Sequence, residues 1–355
     1  MRNKNGAGQN GGEGFLALPI AAPLINWYQN NARSLPWREN ADAYRVWVSE
    51  IMLQQTRVEA VKPYYARFLL ALPDIGALSR VEDDALYKLW EGLGYYSRAR
   101  NLKRAAMEAM DRHGGTLPKS YEALLKLPGI GPYTAGAIAS IAYGIPVPAV
   151  DGNVLRVLAR LSDCALDIAR PDTRRLAEEA VKQMLPRDDP GTFNQALMEL
   201  GACVCLPSGE PKCGDCPLRT VCRGRASGRA AGLPVKQKKA PRRKEQYTVF
   251  VLRQGGSFAV RRRQDAGLLS GLWELPNCPG NREENDIAAQ LALWGAVPTG
   301  EIRRYSKRHI FTHVEWDMRV YALPVDLPAL PEGWEWAEEE SAHALPAAFR
   351  ICLTS

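Results

Sequence analysis

Residues 223–246, RGRASGRAAGLPVKQKKAPRRKEQ, divide the chain into two parts that cannot share one fold class. Lys and Arg dominate this stretch. Gly, Ala and Pro fill much of the rest, and no apolar residue recurs at a helical or strand period, which is the composition of a linker. Upstream, apolar residues recur three and four apart. YRVWVSEIMLQQTRVEAV (44–61) and DALYKLWEGLGYYSRARNLKRAAMEAM (84–110) predict amphipathic helices. TAGAIASIAYG (134–144) predicts a short helix of small residues suited to close packing. Downstream the period falls to two. YTVFVL and SFAVRRR read as strands. VEWDMRVYAL sets Val314, Trp316, Met318 and Val320 against Glu315, Asp317, Arg319 and Tyr321. IAAQLALWG adds a helix, so the C-terminal part is an α+β domain following a mostly helical region. The expected division is 1–14 as a disordered Gly- and Asn-rich terminus, 15–224 helical, 225–245 a basic linker and 246–355 the α+β domain.

The chain of 355 residues is 46% apolar and 24% charged, an ordinary globular balance. Its net charge of +7 suits a polyanion such as nucleic acid, and equally a merely basic surface. No uninterrupted apolar run is long enough to span a membrane. FLALPIAAPLI (15–25) could pass for a signal-peptide core. Two prolines interrupt it, and Asn26, Trp27, Tyr28 and Gln29 continue it with helical spacing, so it reads as a loop entering the first helix of an intracellular protein.

Several motifs carry chemistry. In LPGIGPYTAG (127–136), Gly129 and Gly131 permit a tight turn with exposed amides ahead of a helix start, which suits a phosphate; a plain helix–helix turn is the other reading. Asp151, in VPAVDGNVLRVLAR, stands where a helix begins. It is a natural N-cap, and a capped carboxylate is held ionised and fixed beside any cation that forms. Glu50 lies among Val46, Trp47, Val48, Ile51, Met52 and Leu53. Buried there it would be desolvated and raised towards a pKa useful for donating a proton; on an exposed helix face it would be ordinary. Cys213, Cys216 and Cys222 have metal spacing, for zinc or an iron–sulfur cluster, and Cys205 or Cys203 can supply the fourth thiolate.

Together these motifs resemble the helix-hairpin-helix DNA glycosylase superfamily, and within it the MutY-type adenine DNA glycosylases. The resemblance runs from about residue 20 to 355 through LPWR (35–38), VWVSEIMLQQTRVE (46–59), GLGYYSRARNL (92–102), LPGIGPYTAGAI, VDGNVLRVLAR and CPLRTVC. It implies a six-helix barrel with a 4Fe-4S cluster domain and a Nudix-like C-terminal module. It also implies base excision repair of adenine opposite 8-oxoguanine, or less strictly guanine, in double-stranded DNA, by a cytoplasmic, monomeric bacterial enzyme. Glu50 then corresponds to the acid that protonates adenine N7, and Asp151 to the carboxylate that stabilises the oxocarbenium-like sugar. Asn153 and Tyr133 orient them. Relatives that also cut the strand, resembling endonuclease III, carry a lysine where Tyr133 stands. Tyrosine has no amine for a Schiff base, so the resemblance implies a monofunctional enzyme.

Arg33, Arg38 and Gln195 match positions lining the adenine pocket. Gln55 and Tyr95 match residues that wedge into the base stack, with Leu53, Thr56 and Leu93 beside them. Phe311-Thr312-His313 stands where the family usually has Phe-Ser-His to read 8-oxoguanine. The cluster ligands correspond to Cys205, Cys213, Cys216 and Cys222. The gap from Cys205 to Cys213 is one residue longer than is usual. The Nudix-like module has Arg282-Glu283-Glu284 but lacks the paired glutamates of a magnesium box, so it is expected not to hydrolyse nucleotides. The competing readings are a pyrimidine-damage glycosylase with lyase activity and a non-catalytic DNA-binding protein with a four-cysteine zinc site.

Overall fold

The computed structural model describes residues 14–237, 240–263, 267–338 and 343–354. The expected disordered terminus therefore lies outside the described residues, apart from Gly14. The chain forms two compact units. The first is the chain through Arg80 together with Asn101–Lys238; the second is Val81–Arg100 with Lys239–Ser355.

The first unit is helical. Five of its helices carry the site: α1 (Ala21–Asn31), α2 (Ala43–Leu53), α3 (Pro132–Ala137), α4 (Gly152–Ser162) and α5 (Pro190–Cys203). α5 packs against both α1 and α4, while α2 packs against α3 and the segment that follows it. Their starts obey simple capping chemistry. Asp42 accepts from Arg45 N, Asp151 from Val154 N and Asp189 from Thr192 N, each satisfying a backbone amide that the helix leaves unpaired. The helical pattern of 44–61 is real but not continuous. It breaks after Leu53, where Gln55 takes φ +60°, and resumes at Val58–Ala71. Likewise 84–110 is split into Asp83–Trp90 and Ser97–Arg112 around Gly92, Gly94 and Tyr95, all with positive φ.

The hairpin runs from Tyr121–Leu124 through Gly129-Ile130-Gly131 into α3. Gly129 has φ +75°, and a Cβ there would sit 2.6 Å from the Cβ of Asn101, so only glycine fits the turn. Leu127 and Ile130 are buried and anchor it. In α3, a Cβ on Gly136 would come within 2.0 Å of the Pro148 carbonyl, which explains the run of small residues. The helix loosens into a π turn over Ile138–Ala142. The apolar core of α4 and α5, with Val154, Leu158, Phe193 and Leu197 fully buried, holds α1 through Leu24.

The basic stretch is partly structured. Arg223–Ala226 is a helical turn packed on α4, and Arg229 pairs with Asp163. No helix among the described residues is long and apolar enough to cross a membrane.

The second unit is built on a mixed sheet of β1 (Arg243–Gln254), β2 (Ser257–Arg262), β3 (Trp273–Glu274), β4 (Asn277–Pro279), β5 (Val297–Pro298), β6 (Arg303–Ile310), β7 (Val314–Asp326) and β8 (Trp334–Ala337). β1 and β7 pair in parallel at its centre; the other pairings are antiparallel. Helix α6 (Glu284–Leu293), helix α7 (Ala347–Arg350) and the helix Asp83–Trp90 also belong to this unit. Trp316, Met318 and Val320 of β7 are buried as the alternation requires, in the core that includes Phe349 of α7. Tyr321 is buried too, because the opposite face of the sheet is covered in turn by Ile287 and Leu291 of α6. A sheet covered on both faces cannot keep a strict polar row.

Candidate active site

In the first unit, α2 carries Glu50 into the interior, where it is 7% exposed among buried Val46, Trp47 and Ile51. α3 delivers Tyr133, at its second position, opposite. The Tyr133 hydroxyl donates to Glu50 Oε2 and lies 3.2 Å from Met198 Sδ. Burial raises the Glu50 carboxyl to about 7. The Tyr133 hydrogen bond opposes this rise and the nearby Asp151 adds to it. Burial also pushes the Tyr133 hydroxyl well up, so it stays a donor.

Asp151 is fixed from several sides. Its Oδ1 accepts from Val154 N at 2.8 Å and its Oδ2 from Asn153 Nδ2 at 2.7 Å. Asn153 is held in turn by Arg156, whose Nη2 donates to Asn153 Oδ1 and to Gly201 O, both at 2.8 Å. The approach to Asp151 is pinned by buried Asn194, which accepts from Ala149 N and donates to Val147 O and Ser140 Oγ. Burial raises the Asp151 pKa, while the amide and Asn153 bonds favour its charged form. Two carboxylates thus share a site in unlike settings, one with a single hydroxyl donor and the other with several.

Both open on one cavity of about 560 Å³, which also takes Tyr133, Asn153, Arg33, Arg38, Gln195, Leu53, Gln55 and Thr56 into its lining. The backbone strain at Gln55 sits at this wall, the kind of place where strain serves function. Arg33 and Arg38 are not free cations. Buried Glu199 accepts from Arg33 Nε at 2.7 Å, Arg33 Nη2 at 2.8 Å and Arg38 Nη2 at 2.8 Å. Burial alone would raise the Glu199 carboxyl, but these bonds outweigh it and hold the group down at about 2. Gln195 accepts from Tyr28 OH at 3.2 Å.

The sequence reading missed Glu199, Asn194 and Arg156. Glu199 had a signal: an acid inside the apolar run ALMELG, just as Glu50 stands inside VWVSEIML.

In the second unit, Tyr95, Phe311, Thr312 and His313 line a separate cavity of about 420 Å³ with Leu268, Leu269 and His309. The Tyr95 hydroxyl and Thr312 Oγ1 are hydrogen-bonded at 2.5 Å, joining the two predicted recognition elements directly. Phe311 packs edge-on against His309 and Trp316. Leu93 is 6% exposed, and its carbonyl accepts from Arg98. Gly129 and Gly131 stay at the hairpin, Gly131 as the exposed N-cap of α3.

Cys205, Cys213, Cys216 and Cys222 surround one small cavity with Arg160, whose Nη1 lies 3.3 Å from Cys205 Sγ. Cys203 points elsewhere, to Glu199 at 3.5 Å. Among the described residues no three ligating side chains converge on a single-ion site. Four thiols lining one cavity are a donor set of the kind that holds zinc or an iron–sulfur cluster.

Residues 48–183 match the family model of the HhH-GPD superfamily of base excision DNA repair proteins, and residues 248–355 that of the NUDIX domain. The adenine DNA glycosylase of Homo sapiens is 33% identical, over 92% of this chain and 73% of that protein. That of Mus musculus is 36% identical, over 88% and 72%. That of Buchnera aphidicola subsp. Baizongia pistaciae is 34% identical, over 88% and 86%. Among solved structures, a thermostable thymine-DNA glycosylase is 26% identical with a TM-score of 0.53, covering 59% of this chain and 95% of its own. An endonuclease III–DNA complex shares the fold at 23% identity and a TM-score of 0.51, over 59% and 96%.

Proposed function

The chain belongs to the adenine DNA glycosylases, DNA N-glycosylases of base excision repair, and from that premise we propose that it hydrolyses the N-glycosidic bond of adenine opposite 8-oxoguanine, and less strictly opposite guanine, without cutting the strand. The observation that carries this is the pairing in one cavity of buried Glu50, held by Tyr133, with the capped Asp151. Adenine reaches such a cavity only when flipped from the duplex, at a cost of roughly a few kcal/mol. Gln55, in the cavity lining, is a residue that wedges into the base stack, and Tyr95 in the second unit has the same role. Arg33, Arg38 and Gln195 form the wall that the base meets.

Near neutral pH a fraction of Glu50 carries a proton, since its pKa lies at about 7. It gives that proton to adenine N7, and the glycosidic electron pair leaves with the base. The oxocarbenium-like sugar is stabilised by Asp151, which Val154 N and Asn153 hold in its charged form. Water adds to the sugar and returns a proton to the carboxylate pair. Tyr133 holds Glu50 and offers no amine, so no Schiff base forms and the strand stays intact.

The cavity of Tyr95, Phe311, Thr312 and His313 receives the opposing 8-oxoguanine. Glu283 and Asp286 form a capping box on α6, a structural use for the acidic residues of the degenerate Nudix segment, and the sheet unit reads a base rather than hydrolysing a nucleotide. Cys205, Cys213, Cys216 and Cys222 would hold a 4Fe-4S cluster, whose bonds to the thiolates would tie their loop together.

The test is single-turnover reaction on a duplex with one adenine opposite 8-oxoguanine, with and without alkali. Strand breaks are expected only after alkali. Breaks without alkali that borohydride traps on the protein would mean a lyase and overturn the role given to Tyr133.

A further inference from the structure

Three cations line the cavity of the first unit: Arg33, Arg38 and Arg174. The first two are clamped on Glu199. Arg174, from the helix Pro171–Met184, is different. Its Nη1 donates to Val150 O at 2.8 Å, which ties the guanidinium to the residue just before Asp151. Among the described residues it makes no ion pair within 4 Å. Glu178, one turn along the same helix, feels its charge but does not pair with it. One guanidinium edge is thus anchored on backbone, in the lining of a cavity that also holds the carboxyl groups of Glu50, Asp151 and Glu199.

A guanidinium anchored by one edge, with no carboxylate in ion-pair contact among the described residues, has further donors to offer a polyanion. On the reading above, the sugar carbon that meets Asp151 belongs to a flipped nucleotide. Its phosphodiesters lie within one sugar's length of that carbon, and a planar guanidinium suits phosphate oxygens.

We propose that Arg174 is a phosphate-binding residue of the active cavity, holding a phosphodiester that flanks the flipped nucleotide and so placing the sugar against Asp151. It binds substrate and takes no part in proton transfer. This rests on the base-flipping reading of the cavity. It also predicts a contact made only by the flipped state, unlike the general contacts of a basic surface.

The experiment measures binding of the full chain to two duplexes of one sequence over a range of salt. One holds non-cleavable 2′-fluoro-2′-deoxyadenosine opposite 8-oxoguanine and the other is fully paired. The proteins are wild type, Arg174→Gln and Arg174→Lys; the lysine variant keeps the charge and guards against a mere folding defect. For Arg174→Gln, affinity for the mispaired duplex should fall about tenfold, and the slope of log K against log salt should drop by about 0.9, one phosphate's share. Binding to the paired duplex should not change, and Arg174→Lys should recover most of the slope. Equal losses on both duplexes would make Arg174 an ordinary surface contact, and no loss on either would remove it from the interface; both results overturn the inference while leaving the glycosylase reading intact. A wild type that does not prefer the mispaired duplex would overturn the glycosylase reading, and this inference with it.

Discussion

Replacing Glu50 by Gln should stabilise the protein while disabling it. The folded state holds the Glu50 proton up to about pH 7, whereas the unfolded chain releases it near the ordinary 4.5. Between those values the folded state binds more protons, so stability falls as pH rises through the window. At about 1.4 kcal/mol per pH unit, the full cost above pH 7 is about 3 kcal/mol, and about 2 kcal/mol of it accrues between pH 5.5 and 8. Gln carries no charge to desolvate, and its carbonyl oxygen still accepts from Tyr133. At roughly 2–4 °C per kcal/mol for a unit of this size, Glu50→Gln should melt roughly 6–12 °C higher than wild type at pH 8, with the difference shrinking towards pH 5.5. The glycosylase rate should fall by roughly 10²–10⁴, the ordinary worth of a general acid. Thermal melts followed by circular dichroism from pH 5.5 to 8.5, beside single-turnover rates on the same preparations, test both halves. A variant that melts lower at pH 8, or whose difference from wild type does not change with pH, would show that Glu50 is not held as a desolvated acid.

Three further results follow from the same geometry. Tyr133→Phe removes the hydrogen bond that opposes the rise of Glu50, so the Glu50 pKa should climb further and the alkaline limb of the pH–rate profile should move to higher pH; an unmoved limb would sever Tyr133 from the acid. Glu199→Gln leaves the guanidiniums of Arg33 and Arg38 without their counter-charge, at a cost of about 3–5 kcal/mol, which a denaturant titration would register as a lower midpoint; an unchanged midpoint would deny the clamp its role. Cys205→Ser should abolish the visible absorbance of an iron–sulfur protein whereas Cys203→Ser should keep it, and the reverse pattern would reassign the ligand.

Much of this molecule can be read in one dimension. The change of apolar period separates helices from strands because that period is a property of consecutive residues. Asp151 at a helix start and the glycines of the hairpin are legible for the same reason, since capping and positive φ are satisfied within a few positions. Where the periodic pattern misled, the cause was equally local. The helices predicted over 44–61 and 84–110 are interrupted by residues at positive φ, which apolar spacing does not register.

Only the tertiary structure could decide whether Glu50 is buried, since the walls of its pocket come from α3 and α5, and Tyr133 lies 83 positions away. Glu199 gathers Arg33 and Arg38 across more than 160 positions. Cys205 and Cys203 are two residues apart and chemically alike, yet the end of α5 turns one thiol to the cysteine cavity and the other to Glu199. Desolvation and charge pairing depend on what is near in space, and a sequence lists only what is near along the chain. The residue types that allow the chemistry are therefore written in the sequence, while the pKa values and pairings that make them an acid, a stabiliser or a clamp arise from the packing of distant elements.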